Sequence, residues 1–221
     1  MSFMYRFLKF WCSLFLRAKY KITFLYEDKE AFEGSDGMII CANHHSNFDP
    51  ILLAMGAPKQ IFYMSKEELF EKNKIFAWAL RSVGAFPVSR GKGDMTAIKT
   101  SVDLIQNGKL LGVFPEGTRS KTGELLRPKS GAALICQKTK AKILPVGISY
   151  EDKSKWRSRV IVNFGKPMEN QEMFSSEEIS PRELKNASKL IMERISDLRH
   201  TEIIKNQKAS QREDEEKEIG D

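Results

Sequence analysis

The sequence predicts a single α/β domain with a largely parallel mixed sheet flanked by helices, preceded by an amphipathic N-terminal helix. Three observations point there. Short apolar runs of strand length alternate with longer helical patterns along most of the chain. Several of those runs, such as Met38–Ala42 and residues 110–114, are continuously apolar, as strands covered on both faces are. The length of 221 residues suits one well-packed domain better than two. A content of 41% hydrophobic and 29% charged residues is ordinary for a globular chain. Three parts are expected: a membrane-associating helical segment over 1–24, the α/β domain over 25–205, and a charged, disordered tail over 206–221.

Residues 2–17 project as a helix with two unlike faces. Ser2, Arg6, Lys9, Ser13 and Arg17 form one stripe. Phe3, Phe7, Phe10 and Leu14 form a row beside Met4, Leu8, Trp11 and Phe15. Five basic residues and no acidic one lie between Met1 and Phe24. Aromatics toward acyl chains and cations toward headgroups predict a helix lying in a membrane interface. The competing expectation is an amphipathic helix packed on the protein's own core. No stretch reaches the ~20 uncharged apolar residues of a spanning helix.

After this helix the reading places a strand over 19–27 and a polar turn region over 28–37. Met38–Ala42 reads as a buried strand, and Pro50 opens a short helix. Residues 60–64 read as a strand, 66–83 as mostly helix, and Ala85–Val88 as a strand. Residues 94–106 read as a helix closed by Asn107-Gly108, then 110–114 as a strand. Beyond them, 128–139 read as a helix, Lys142–Tyr150 and 159–164 as strands, and 181–205 as a long helix. In a parallel sheet, ligands bind beyond the carboxyl ends of the strands. Polar clusters stand at four such ends: residues 43–49, Ser65-Lys66, residues 89–91 and residues 116–119.

The first cluster is Asn43-His44-His45-Ser46-Asn47-Phe48-Asp49, and it holds two of the three histidines. A carboxylate five residues after His44 can reach one imidazole nitrogen and leave the other as a general base. No nucleophile signature such as GxSxG occurs, so such a dyad would activate a hydroxyl of the substrate. Two other readings stay open on these residues alone. Asp49 before Pro50 suits a helix N-cap, with His44 a structural hydrogen-bonder. His44, His45 and Asp49 are also metal-ligand types, although no distant ligand set accompanies them. The three cysteines, Cys12, Cys41 and Cys136, lack metal spacing and read as isolated thiols of a reducing compartment.

The cluster Phe114-Pro115-Glu116-Gly117-Thr118-Arg119-Ser120 combines a glycine turn with an arginine fork suited to phosphate. Glu116 can bind a hydroxyl or orient the arginine. Arg90 and Lys66 are further strand-end cations that, joined to Arg119, would make a cationic pocket for one phosphate. Taken singly, each is a solvated surface charge.

In this order, these clusters resemble the glycerolipid acyltransferase family, most closely its bacterial 1-acyl-glycerol-3-phosphate acyltransferases. The family's Asn-His, four residues, Asp pattern matches residues 43–49. Its apolar strand ending in arginine is similar to Gly84-Ala85-Phe86-Pro87-Val88-Ser89-Arg90. Its Phe-Pro-Glu-Gly-Thr-Arg-Ser block stands unaltered at residues 114–120. Its proline-centred strand is similar to Ile143-Leu144-Pro145-Val146-Gly147. Lys66 ahead of Glu67-Glu68-Leu69 and Lys129-Ser130-Gly131-Ala132 match further elements. His45 stands where many members have glutamine.

The resemblance implies catalysis by His44 with Asp49, and binding of glycerol phosphate by Lys66, Arg90, Glu116, Gly117, Thr118 and Arg119. It implies transfer of a fatty acyl group from acyl-CoA or acyl-carrier protein to the sn-2 hydroxyl of 1-acyl-glycerol 3-phosphate, giving phosphatidic acid. No cofactor, metal or acyl-enzyme is implied. The expected partners are lysophosphatidic acid, the acyl donor and a phospholipid surface, at the cytoplasmic face of the cell membrane. Another lysolipid or glycerol 3-phosphate as acceptor, and a non-catalytic anionic-lipid binder, are the alternatives. A net charge of +7 admits any polyanion, but no nucleic-acid-binding motif accompanies it.

Overall fold

A computed structural model describes residues 3–33, 37–71, 73–88, 95–175 and 180–200. Helix α1 (Phe3–Lys19) leads directly into strand β1 (Tyr20–Tyr26). Then follow β2 (Met38–Ala42), α2 (Asp49–Gly56), β3 (Ile61–Lys66), α3 (Glu68–Glu71), α4 (Lys74–Ser82) and β4 (Ala85–Val88). Next come α5 (Met95–Gln106), β5 (Leu110–Val113), α6 (Gly131–Thr139) and β6 (Lys142–Tyr150). Strand β7 (Ser158–Phe164), α7 (Asn170–Met173) and α8 (Pro181–Asp197) complete the order.

The seven strands form one sheet in the order β1-β7-β6-β2-β5-β3-β4. Strands β6, β2, β5, β3 and β4 run parallel, and the β6–β7 hairpin is the antiparallel step. Every residue of β2 is buried, as its continuous apolar run predicts. One face packs Ile40, Leu110 and Leu144 under α1 and α2, with Leu16, Leu52 and Leu53. The other packs Ile39, Leu111 and Ile143 under α5, α6 and α8.

Helix boundaries depart from expectation for local reasons. The helix read over 66–83 is two pieces, because Asn73 caps α4 by accepting from the amides of Ile75 and Phe76. The helix expected from 128 starts at Gly131, since the Lys129 amide donates instead to the Pro115 carbonyl, at 2.8 Å. The last helix starts at Pro181, with Ser180 as its cap, but stops at Asp197 rather than 205. There Leu198 drops into a hollow above two glycines, where a Cβ on Gly147 would lie 2.6 Å from the Leu198 backbone. The short α7 was not foreseen. Residues 201–221, including the tail expected at 206–221, lie outside the described residues.

Helix α1 is turned differently from the expected stripe. Tyr5 and Leu16 are buried, and Lys9 points inward to donate to the Ala57 carbonyl at the end of α2. Burial lowers the Lys9 pKa from its ordinary value. The aromatic rows face out, with Phe3 82% and Phe10 61% exposed. Helix α1 thus packs on the core through Tyr5 and Leu16 and keeps the aromatic rows outside it. Among the described residues, no helix is long and apolar enough to cross a membrane.

Glycine is required once in the centre of the sheet. The Tyr63 ring stands over its register partner Gly112, where a Cβ would meet the ring at 2.2 Å. The Tyr63 hydroxyl donates to the Pro50 carbonyl, so the ring cannot swing aside without losing that bond. Gly112→Ala is expected to destabilise by about 2 kcal/mol through overpacking. Urea denaturation checks this, and an unchanged midpoint would mean that the ring yields without cost.

Candidate active site

The carboxyl ends of β2, β5, β3 and β4 share one edge of the sheet. The loop leaving β2 is fixed there by Asn43. Its side-chain amide donates to the Ile148 carbonyl and accepts from the Ile148 amide, at 2.9 and 2.8 Å. The side chain thus imitates strand pairing where β2 has ended, and β6 continues beyond it.

Asp49 is the centre of the next turn and is fully buried. Its Oδ2 lies 2.8 Å from His44 Nδ1 and accepts the amides of His45 and Ser46, each at 2.7 Å. Its Oδ1 accepts the Tyr150 hydroxyl at 2.6 Å. Burial first, then the charge of Asp49, holds the Tyr150 pKa well above its ordinary value, so Tyr150 stays a donor. Asp49 does not cap α2: the N-cap position is Phe48, without a side-chain bond, and the carboxylate reaches back to its own loop.

A carboxylate facing Nδ1 places the proton there and leaves Nε2 as the base. The His44 ring lies against Phe114, with centroids 4.0 Å apart, and its side chain is 18% exposed. One ring face is therefore closed while an edge reaches solvent. The His44 backbone is fixed separately: its amide donates to Glu116 Oε1 and its carbonyl accepts from Ser120, both at 2.8 Å.

Glu116, which the family pattern assigns to the glycerol phosphate, is held by backbone amides on both oxygens. It is 3% exposed, and its second oxygen accepts the Leu126 amide at 3.0 Å. Both oxygens thus tie backbone segments together, joining the loops at 43–49 and 114–126. Burial pushes its pKa up, against the lowering effect of the two amides. Gly117 adopts φ +68°, which favours glycine. The aliphatic stem of Lys129 lies over it, 2.8 Å from where a Cβ would stand.

Thr118 and Arg119 are exposed beyond this turn, and Lys66 is exposed at the end of β3. They stand on the edge that carries His44. Arg90 lies outside the described residues. Among the described residues, no group of three or more His, Cys, Asp or Glu could hold a metal ion. His45 turns to the Tyr150 ring, 5.7 Å away edge to face, and is covered by Gly123.

Two residues of the site carried no sequence signal. Tyr150, the end of β6, looked like one more strand aromatic. Arg199 follows α8 and donates to the Gly123 carbonyl at 2.7 Å; burial lowers its pKa, against the raising effect of Glu124 and Glu116. It clamps the 120–126 loop from the far end of the chain.

A family model described as Acyltransferase matches residues 23–149. The chain is 40% identical over 119 residues to the 1-acyl-sn-glycerol-3-phosphate acyltransferase of Bacillus subtilis, covering 53% of this chain and 58% of the relative. It is 36% identical over 139 residues to the enzyme of that name from Streptococcus pneumoniae, covering 61% and 51%. The chain thus spans about half the length of the curated relatives it matches. In fold it is similar to the crystal structure of the 1-acyl-sn-glycerophosphate (LPA) acyltransferase from Thermotoga maritima. The TM-score is 0.64 at 24% identity, over 88% of this chain and 79% of the other. The matched model covers more than half of the chain, and this protein belongs to the acyltransferase family.

His45 offers a test of the loop's packing. Burial first, then the Lys153 charge, lowers its pKa from 6.5 to about 4. Between those values the unfolded chain binds the proton and the folded chain does not, so stability falls as pH drops through that window. His45→Gln is expected to lessen this acid loss. Glu116, whose pKa is raised, acts in the opposite sense, so the difference between the two proteins isolates the imidazole. Denaturant unfolding at pH 7, 5.5 and 4 reads the difference, and parallel stability curves would refute it.

Proposed function

We propose that this protein transfers a fatty acyl group from acyl-CoA or acyl-carrier protein to the sn-2 hydroxyl of 1-acyl-glycerol 3-phosphate, forming phosphatidic acid. The observation that carries this reading is the 2.8 Å contact between buried Asp49 and His44 Nδ1, beside a family block containing Arg119. The printed names of the Bacillus and Streptococcus relatives support the acceptor.

In this mechanism His44 Nε2 takes the proton of the acceptor hydroxyl as its oxygen attacks the thioester carbonyl. Asp49 stabilises the imidazolium, and His44 returns the proton to the departing thiolate. The products are an ester and a thiol. The activated acyl group arrives on the donor, so no step is routed through a cofactor. Arg119, Lys66, Thr118 and Arg90 hold the glycerol phosphate, and orientation supplies most of the rate gain. The outward aromatic face of α1 rests in the lipid interface, as a peripheral anchor on the cytoplasmic face of the cell membrane.

Incubating the purified protein with lysophosphatidic acid, glycerol 3-phosphate, other lysolipids and mixed acyl donors tests the proposal. Mass spectrometry should find phosphatidic acid as the main product. Acylation of another acceptor would redirect the substrate, and no acylation of any would favour a non-catalytic lipid binder.

His44→Ala should lose roughly 10²–10⁴-fold in kcat. It should stay folded, because the backbone bonds to Glu116 and Ser120 do not use the ring. Retained turnover in that variant would sink the dyad. Arg119→Ala should chiefly raise KM for the lysophospholipid. A lower kcat at unchanged KM would instead place Arg119 in the transition state.

A further inference from the structure

The hairpin between β6 and β7 carries Glu151-Asp152-Lys153-Ser154-Lys155-Trp156-Arg157. Its Trp156 is 63% exposed although the loop around it is firmly built. Asp152 Oδ1 accepts the Ser154 amide and hydroxyl and the Lys155 amide. Glu151 pairs with Arg159 at 3.0 Å, at the base of the hairpin. Both acids are thus engaged inside or below the loop.

The hairpin is bonded to the end of α1. The Arg157 amide donates to the Lys19 carbonyl at 2.6 Å, and its guanidinium donates to the Arg17 carbonyl at 3.1 Å. The Tyr20 hydroxyl donates to the Lys153 carbonyl at 2.6 Å. Arg157 holds φ +62° in making these contacts, a conformation unusual for a side-chain-bearing residue. The result sets the hairpin against the Arg17–Lys19 end of α1, with Lys155 paired to Asp152 at 3.8 Å and the Trp156 indole exposed. The hairpin also starts one residue after Tyr150, whose hydroxyl holds Asp49.

We propose that this hairpin is a second lipid-contact element, seating Trp156 in the interface and its cations on anionic headgroups, so that the catalytic edge is held against the bilayer. It rests on the membrane docking proposed for α1 but stands on different residues. Indoles with cations are the chemistry of the anionic lipid interface, where neither group need be fully desolvated. Continuity with α1 argues for the same occupant. An acidic carrier protein would need the cations but not an exposed indole.

The test uses the full chain. Of the three tryptophans, Trp11 and Trp78 are changed to Phe, leaving Trp156 as the only reporter. Vesicles of phosphatidylcholine, with or without phosphatidylglycerol, carry brominated acyl chains. Trp156 emission should shift to shorter wavelength and be quenched with the anionic vesicles. Lys155→Gln and Trp156→Ser together should weaken partition into them by roughly tenfold or more, with Lys153 left in place because its charge acts on His45. Turnover of a monomeric short-chain acceptor with acyl-CoA should be unchanged in that variant. Arg157 is left in place because it binds α1.

Co-sedimentation of the protein with unaltered Trp156 emission would overturn the hairpin's role and leave α1 docking intact. Failure of the parent protein to bind vesicles would overturn both. Normal vesicle binding by the double variant, with turnover lost only for an acyl-carrier-protein donor, would assign the hairpin to that protein and overturn the proposal.

Discussion

The buried Asp49 carboxylate is the constraint on which the site depends. A carboxylate removed from water is costly unless donors surround it. Here four groups do so: His44 Nδ1, two amides of its own loop and the Tyr150 hydroxyl. The loop must curl tightly for those amides to meet one oxygen. That same curl presents His44. The orientation of the imidazole is therefore a by-product of satisfying a buried charge.

The loop is then tied to its neighbours by backbone rather than by the reacting side chain. Glu116 bridges the amides of His44 and Leu126, Ser120 donates to the His44 carbonyl, and Asn43 pairs with Ile148. These bonds link the segments following β2 and β5 to each other and to β6 itself, which are neighbours only because the central strands are parallel. Arg199 closes the assembly from beyond α8. These ties run through backbone atoms, while the His44 ring meets Asp49 through Nδ1 and Phe114 through one face.

Strands and parallel topology were legible because continuous apolar runs report burial on both faces. His44 and Asp49 were legible because they are near in sequence and chemically distinctive. Tyr150 and Arg199 were not, since each meets the site through a long-range contact of an ordinary residue type. Glu116 was visible as a residue but not as a brace, because a carboxylate's role depends on which amides fold onto it. The matched family span ends at residue 149, one short of Tyr150. Local capping likewise decided what periodicity could not, as Asn73 splitting the helix read over 66–83 illustrates.

Helix α1 shows how the site and the proposed interface are coupled. Its inward stripe uses Tyr5, Lys9 and Leu16, with Lys9 satisfying the last turn of α2. Among the described residues the aromatic rows stay exposed, the surface that the proposed docking to a lipid interface would cover. The far end of the helix reaches the 43–49 loop through Phe48. The Phe15 ring lies 6.1 Å from it, and Lys19 Nζ stands 5.8 Å above it. Phe48 is the residue before Asp49. Helix α1 thus packs next to the carboxylate that orients His44, which makes it part of the scaffold of the site.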